Sequence, residues 1–357
     1  MKSINNIFEK FLDIEKIKEV ILLAARHKKS RRGVQRVLEN IDFYAGQIKG
    51  MLETGEYWQY PSYHRTIIER GKERELTISP FFPNRILDYI VVEAVKPFIK
   101  KSMYEYCIGN VDGRGAIYGR KVIGRKYKGY KYFMKLDIRK FYPSVKSGVM
   151  LDFVRERVRD KRYIKLCEFV VGANECLPIG SYYSQWFSNW LLQDVDHKIK
   201  EVFGVPFYIR YVDDMLLMGN NKRGLKRAMY LIERELEKYG LRLKEHTQVK
   251  LTETAAIDFL GFRFGAGGVK LRLRNFKKLN AQIKKAARHI CLSLAESIIS
   301  RVAWLRYADG GYMYYKRKIS RCAPIGRLRR VISNANRTLL CKMQKTRNVS
   351  CPLRAMA

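Results

Sequence analysis

The stretch FYIRYVDDMLLMG, residues 207–219, constrains this chain more than any other. Two apolar, strand-like runs flank Asp213 and Asp214, which reads as a buried hairpin with a carboxylate pair at its bend. Neighbours on a regular strand point to opposite faces, so the chain has to turn or bulge there if both acids serve one site. Carboxylates taken out of water without a partner are costly. Either Arg and Lys or a divalent cation must compensate. A few hard oxygen ligands, completed by water and phosphate, are the Mg²⁺ pattern. A further acid stands where such a cluster needs one, because Asp137 closes the apolar run YFMKLD at 132–137. Acids from neighbouring strands that clamp two metal ions can activate a hydroxyl and stabilise a departing pyrophosphate.

Around these acids the chain is strongly basic. Its 357 residues carry 71 Lys and Arg against 34 Asp and Glu, a formal charge of +37. That charge predicts a polyanionic partner, with nucleic acid the usual one. A hydrophobic content of 47% and an aromatic content of 12% are those of a folded globule rather than a disordered tail. No long uncharged apolar span, lipidation motif or signal-peptide core is visible, so no membrane partner and a cytoplasmic location are expected. The seven cysteines are scattered without a CxxC pair or a Cys/His cluster, and are expected to be reduced thiols.

Along the chain, residues 5–53 show helical spacing, broken by the basic RHKKSRRG at 26–33. That break is either a solvated connection or a contact to backbone phosphates. A β-hairpin with Gly71 at its turn is expected from YHRTIIERGKERELTIS, followed by a helix from Pro83 past Pro97. Residues 110–131, rich in Gly, Tyr and basic side chains, suit a loop or short helix against a phosphate chain. A long helix is expected from about 181 to 202 with Ser181 as its N-cap, then the hairpin, an amphipathic helix at 222–239, and two strands around AIDFLGFRF and GVKLRLR. From Ala266 to the end, 22 Lys and Arg face two acids, Glu296 and Asp309. This marks a basic helical domain.

Taken in order, these segments resemble the reverse transcriptases. KLDIRKFYPSV (135–145) is similar to their motif A, LPIGSYYSQ (177–185) to motif B, YVDD (211–214) to motif C and FLGFRF (259–264) to the primer grip. KERELTI (72–78) and PNRILDYIVVEAV (83–95) resemble the fingers. The resemblance implies an α+β right-hand polymerase, with N-terminal helices and fingers over 1–130, palm over 131–265 and a basic helical thumb over 266–357. It implies RNA-directed DNA synthesis from dNTPs on an RNA template, with two Mg²⁺ ions or Mn²⁺ in their place. Asp137, Asp213 and Asp214 would be the catalytic and metal-binding acids, with the backbone carbonyl of Ile138 completing one metal site. Tyr142 would be the steric gate against a ribose 2′-hydroxyl. Lys72 and Arg74 would approach the triphosphate, unless they are surface hairpin charges. Gly180 and Gln185 would lie beside the nascent base pair. Arg85 is either a phosphate contact or a salt-bridge partner within its helix.

Motif B narrows the resemblance. The run Ile179-Gly180-Ser181-Tyr182-Tyr183-Ser184-Gln185 has an aliphatic residue before the glycine and SQ where many bacterial enzymes have SP. In this it is similar to the enzymes of diversity-generating retroelements, which implies error-prone copying focused on template adenines and a helical accessory protein as partner. Two elements depart from the family pattern. The Arg-Pro-Gly-like element that the family often shows after the fingers helix is matched here by Gly109–Gly115, where Arg114 would be the substitute for its triphosphate or template contact. The proton-donating lysine is not singled out among Lys244, His246 and Lys250. Other readings are a bacterial reverse transcriptase in phage defence, a non-catalytic RNA-binding scaffold, and an RNA-making polymerase.

Overall fold

The computed structural model describes residues 3–69, 71–245, 247–335 and 337. Helices and antiparallel sheets are mixed along the chain, an α+β architecture. The described residues up to Gly115 form one compact unit with Tyr132–Val249, and Ala116–Lys131 form a second with the described residues from Lys250 onward. The physical reason for the first unit is its core, which runs without a break from Ile4 through Ile90, Leu136 and Phe187 to Leu243.

In the first unit, helices Ile14–Ala25, Arg32–Glu39 and Ile41–Thr54 fill the N-terminal segment. Asp13 starts the first of them by accepting from Glu15 N at 3.1 Å. Such a cap satisfies a backbone donor that a helix start otherwise leaves open. The break at 26–31 separates the first two helices, as the basic run suggested. Strands β1 (Tyr63–Glu69) and β2 (Lys72–Ile78) form the expected hairpin, with Gly71 at φ +77 in its turn. Helix Ile86–Ser102 follows, and its residues Leu87, Ile90, Val91 and Val95 are fully buried.

At the centre of this unit is an antiparallel sheet in which β4 (Phe207–Tyr211), β5 (Asp214–Gly219) and β3 (Tyr132–Asp137) lie side by side in that order. The strand β6 (Val249–Leu251) follows where the chain leaves the unit. Met215, Leu216, Leu217 and Met218 are all fully buried, so β5 is covered on both faces. That explains its unbroken apolar run where a half-exposed strand would alternate. Helices Lys161–Gly172, Tyr182–Leu191, Gln193–Glu201 and Lys222–Glu237 surround the sheet. Asp160 caps the first through Tyr163 N at 3.2 Å, and its other oxygen accepts from Ile7 N and Phe8 N at 3.0 Å each. One carboxylate thus starts a helix and holds the N-terminal segment. The single helix expected over 181–202 is two, parted at Leu192.

The second unit holds helix Ala116–Lys126, a three-stranded antiparallel sheet β7 (Ile257–Phe259), β8 (Phe262–Gly265), β9 (Gly268–Leu271), and the basic helices. Helix Leu273–Arg288 buries Leu279, Ile283 and Ala286 and packs on helix Leu292–Leu305. Its Arg274, Lys277, Lys278, Lys284, Lys285 and Arg288 are exposed. Among the described residues no helix is long and apolar enough to cross a membrane. The described cysteines, Cys107, Cys167, Cys176, Cys291 and Cys322, are free thiols.

Candidate active site

The sheet register brings the acids together. Asp214 stands opposite Asp137 on β3 and opposite Tyr211 on β4. The bend expected at 213–214 falls one residue earlier, at Val212, whose φ of +59 places a β-branched residue in the left-handed region. Ile138 N donates to Asp213 O at 3.3 Å, so the strand carrying Asp137 also holds the bend.

Burial raises the pKa of Asp213, and the nearby charge of Asp137 adds to it, while Lys244 and Arg74 oppose. Asp214 is pushed up to about 6, first by burial and then by Asp213 and Asp137, with Lys135 opposing. Like charges confined in a poorly solvated place resist ionisation. Among the described residues no three His, Cys, Asp or Glu side chains are grouped as a ready metal site. The donor chemistry nevertheless suits a hard divalent cation, because buried carboxylate oxygens in mutual repulsion lack positive charge.

Lys244 supplies part of that charge. Its Nζ contacts Asp137 Oδ1, and its backbone N donates to Asp137 O at 2.8 Å. Of the two lysines left open by the sequence, Lys244 is the one in contact with Asp137. Lys250 is exposed on β6, and His246 lies outside the described residues.

Tyr142 follows the left-handed Lys140 in the short helix Phe141–Ser144. Burial raises its phenol to about 12 and the charge of Asp213 adds to the shift, while a hydrogen bond with Ser188 opposes it. Ser188 Oγ in turn donates to Gln185 O at 3.2 Å. The ring therefore stands between the acids and the helix that carries Gln185. Ser188 gave no signal in the sequence, because a serine inside a helix is ordinarily unremarkable.

Gln185 is exposed and lines a recess of about 400 Å³ with Asn110, Arg114, Tyr182, Trp186 and Tyr211. Gly180 has φ +119, and a Cβ there would lie 2.7 Å from Thr77 O. Its missing side chain makes room for β2, whose Thr77 N donates to Ile179 O at 2.9 Å. Lys72 and Arg74 are both exposed on β2, and Arg74 Nε pairs with Glu69 at 3.1 Å. Arg85 turns inward, with Nη1 on Gly180 O at 2.7 Å. Arg114 Nη1 donates to two carbonyls, Tyr104 O at 2.9 Å and Cys107 O at 3.1 Å. The N-cap expected of Ser181 makes no side-chain bond, and Asp88 accepts from the backbone of Tyr182 instead.

The family model described as reverse transcriptase (RNA-dependent DNA polymerase) matches residues 70–264, over half of the chain. This chain belongs to the reverse transcriptase family. The matched range takes in β2, the acid-bearing strands and β8, all of the polymerase-like segments read from the sequence. No curated protein matches the chain. Among solved structures, it is similar to apo telomerase from Candida tropicalis truncated from its C-terminal domain, at 16% identity and a TM-score of 0.43 over 59% of this chain. Telomerase from Candida albicans in complex with the TWJ fragment of telomeric RNA gives 13% identity and a TM-score of 0.45 over 74%. This reverse transcriptase spans about half, 55%, of either telomerase chain.

Proposed function

We propose that this reverse transcriptase copies a template RNA into cDNA at the Asp137–Asp213–Asp214 cluster, in the manner of a diversity-generating retroelement enzyme. The observation that carries the reading is the register pairing Asp137 with Asp214 beside the Asp213 bend, with Tyr142 seated against it. Residues up to about 130 would serve as fingers, 131–265 as palm and 266–357 as thumb, in a cytoplasmic enzyme.

In this reading Asp137, Asp213, Asp214 and the Ile138 carbonyl hold two Mg²⁺ or Mn²⁺ ions. When bound, the ions supply Lewis-acid activation of the primer hydroxyl and charge neutralisation on the leaving pyrophosphate. The chain's own residues do the rest. Lys72 and Arg74 on the exposed hairpin draw in the triphosphate, and Tyr142 excludes a 2′-hydroxyl. Lys244, beside Asp137, would deliver a proton to the leaving group. Gln185, exposed in its recess, offers both donor and acceptor to the nascent pair and so tolerates mispairs. The exposed cations of helix Leu273–Arg288 hold the RNA/DNA hybrid through its phosphates. A helical accessory protein of acidic surface would bind the remaining basic face.

A primer–template assay tests this. Purified protein with Mg²⁺, dNTPs and a primed RNA of defined sequence should extend the primer, with misincorporation concentrated opposite template adenines. Asp213→Ala should abolish extension. Protein that lengthens nothing would sink the polymerase reading. Accurate copying at adenines would remove the retroelement assignment and leave the polymerase.

A further inference from the structure

The largest fully buried side chain in the described chain is an arginine three residues before Asp213. Arg210 holds Asp196 with both ends of its fork, Nε to Oδ1 at 2.7 Å and Nη2 to Oδ2 at 2.6 Å. Its remaining nitrogen, Nη1, donates to Asn189 Oδ1 at 3.0 Å and to Val212 O at 2.9 Å. Tyr208 OH completes the cluster on Asp196 Oδ1 at 2.7 Å. A buried ion pair is weak evidence for stability by itself. What this one does is geometric, since a planar guanidinium fixes several partners at once.

Those partners lie on separate elements. Asp196 belongs to helix Gln193–Glu201 and Asn189 to helix Tyr182–Leu191, one turn beyond Gln185. Val212 is the left-handed residue that aims Asp213. Its other side is closed by Gly109, where a Cβ would stand 2.5 Å from Val212 N and 2.7 Å from its Cγ2. Asn189 Nδ2 bonds Gly109 O at 2.7 Å. A β-branched residue keeps such a backbone only where its surroundings over-determine it.

We propose that Arg210, with Asp196, Asn189 and Gly109, is a positioning device. It holds the Val212 bend so that Asp213 meets the divalent cation in register with the helix that reads the nascent pair. The inference rests on the polymerase reading above. An inactive parent enzyme sinks that reading, whereas an active parent with an indifferent Arg210 variant sinks this inference alone.

The test is Arg210→Lys. The lysine keeps a charge for Asp196 but cannot span Asp196, Asn189 and Val212 O together. Hybrid affinity and nucleotide KM should stay within about twofold of the parent, and kcat should fall at least about tenfold. Mn²⁺ binding to the complex of enzyme, hybrid and nucleotide, followed by electron paramagnetic resonance on a 3′-deoxy primer that cannot react, should weaken at least about fivefold. Gly109→Ala presses on the same bend from the other side, leaves the ion pair intact, and should give the same signature. Parent-level kcat and Mn²⁺ binding in either folded variant overturns the proposal. So does failure of both variants to fold, which would make the cluster a core element and nothing more.

Discussion

Asp213 depends on charges from several elements: Asp137 raises its pKa from β3, while Arg74 on β2 and Lys244 lower it. If Asp213 holds the divalent cation as proposed, Asp213→Ala removes that ligand, and loss of several kcal/mol of transition-state stabilisation should lower kcat at least about 10³-fold in single-turnover primer extension. Tyr142→Ala opens the space above the acids and should raise rNTP incorporation relative to dNTP at least about tenfold. Ser188→Ala leaves the ring in place without its hydroxyl partner. One hydrogen bond of about 1 kcal/mol corresponds to about a fivefold loosening of the same sugar discrimination, read from paired rNTP and dNTP kinetics. A different residue adds its own pH dependence. Asp88 is buried in the fingers helix, and burial lifts its carboxyl to about 7 against the smaller opposing effects of Arg85, the Tyr182 backbone and Lys28. A raised carboxyl binds its proton more tightly in the folded state, so stability is highest below its unfolded value and falls as pH rises towards 7. Asp88→Asn should remove that fall, roughly 4 kcal/mol in all by pH 8, visible as a flatter Tm profile between pH 5 and 8.

Among the elements, the one that joins hairpin to helix is the segment around Gly180. β2 bonds Ile179 through Thr77 N, and Arg85 bonds the carbonyl of Gly180. Gly180→Ala would put a methyl 2.7 Å from Thr77 O in a backbone conformation that L side chains rarely adopt. It should cost about 1–3 kcal/mol and detach β2, together with Lys72 and Arg74, from the recess of Gln185. A drop in Tm with a raised nucleotide KM would show this. The glycine was legible in the sequence, but its neighbour was not. Helical spacing and strand alternation report which face of an element is buried, whereas the partner across the core lies about a hundred residues away in the chain. Arg85 and Arg114 illustrate the same limit. Arg85, read as a phosphate contact or a salt-bridge partner within its helix, pairs with Asp88 at 4.0 Å and also bonds the Gly180 carbonyl. Arg114, read as a substitute contact to nucleic acid, bonds two carbonyls that only the folded chain places beside it.

At the scale of the whole molecule, the charge of +37 sets the conditions under which this reverse transcriptase holds nucleic acid. If six to ten phosphates are neutralised, hybrid affinity should fall by roughly 10³ to 10⁵ between 50 and 200 mM salt. Replacing Lys277, Lys284 and Arg288, three exposed cations of one helix, by Gln should lower the slope of log affinity against log salt by about 1 for each residue. Fluorescence titration across salt concentrations measures both, and a slope indifferent to the triple change would remove that helix from the interface. The sequence alone determined the buried hairpin, the strand-end acid at 137, the order of the family segments and the basic helices, because composition and period are local properties. The tertiary structure decided that Lys244 is the lysine at Asp137, that Ser188 lies beside Tyr142, and that Arg210 is buried behind the Val212 bend. Each of those is a pairing between distant segments, and such pairings are fixed only when a shared core closes around them.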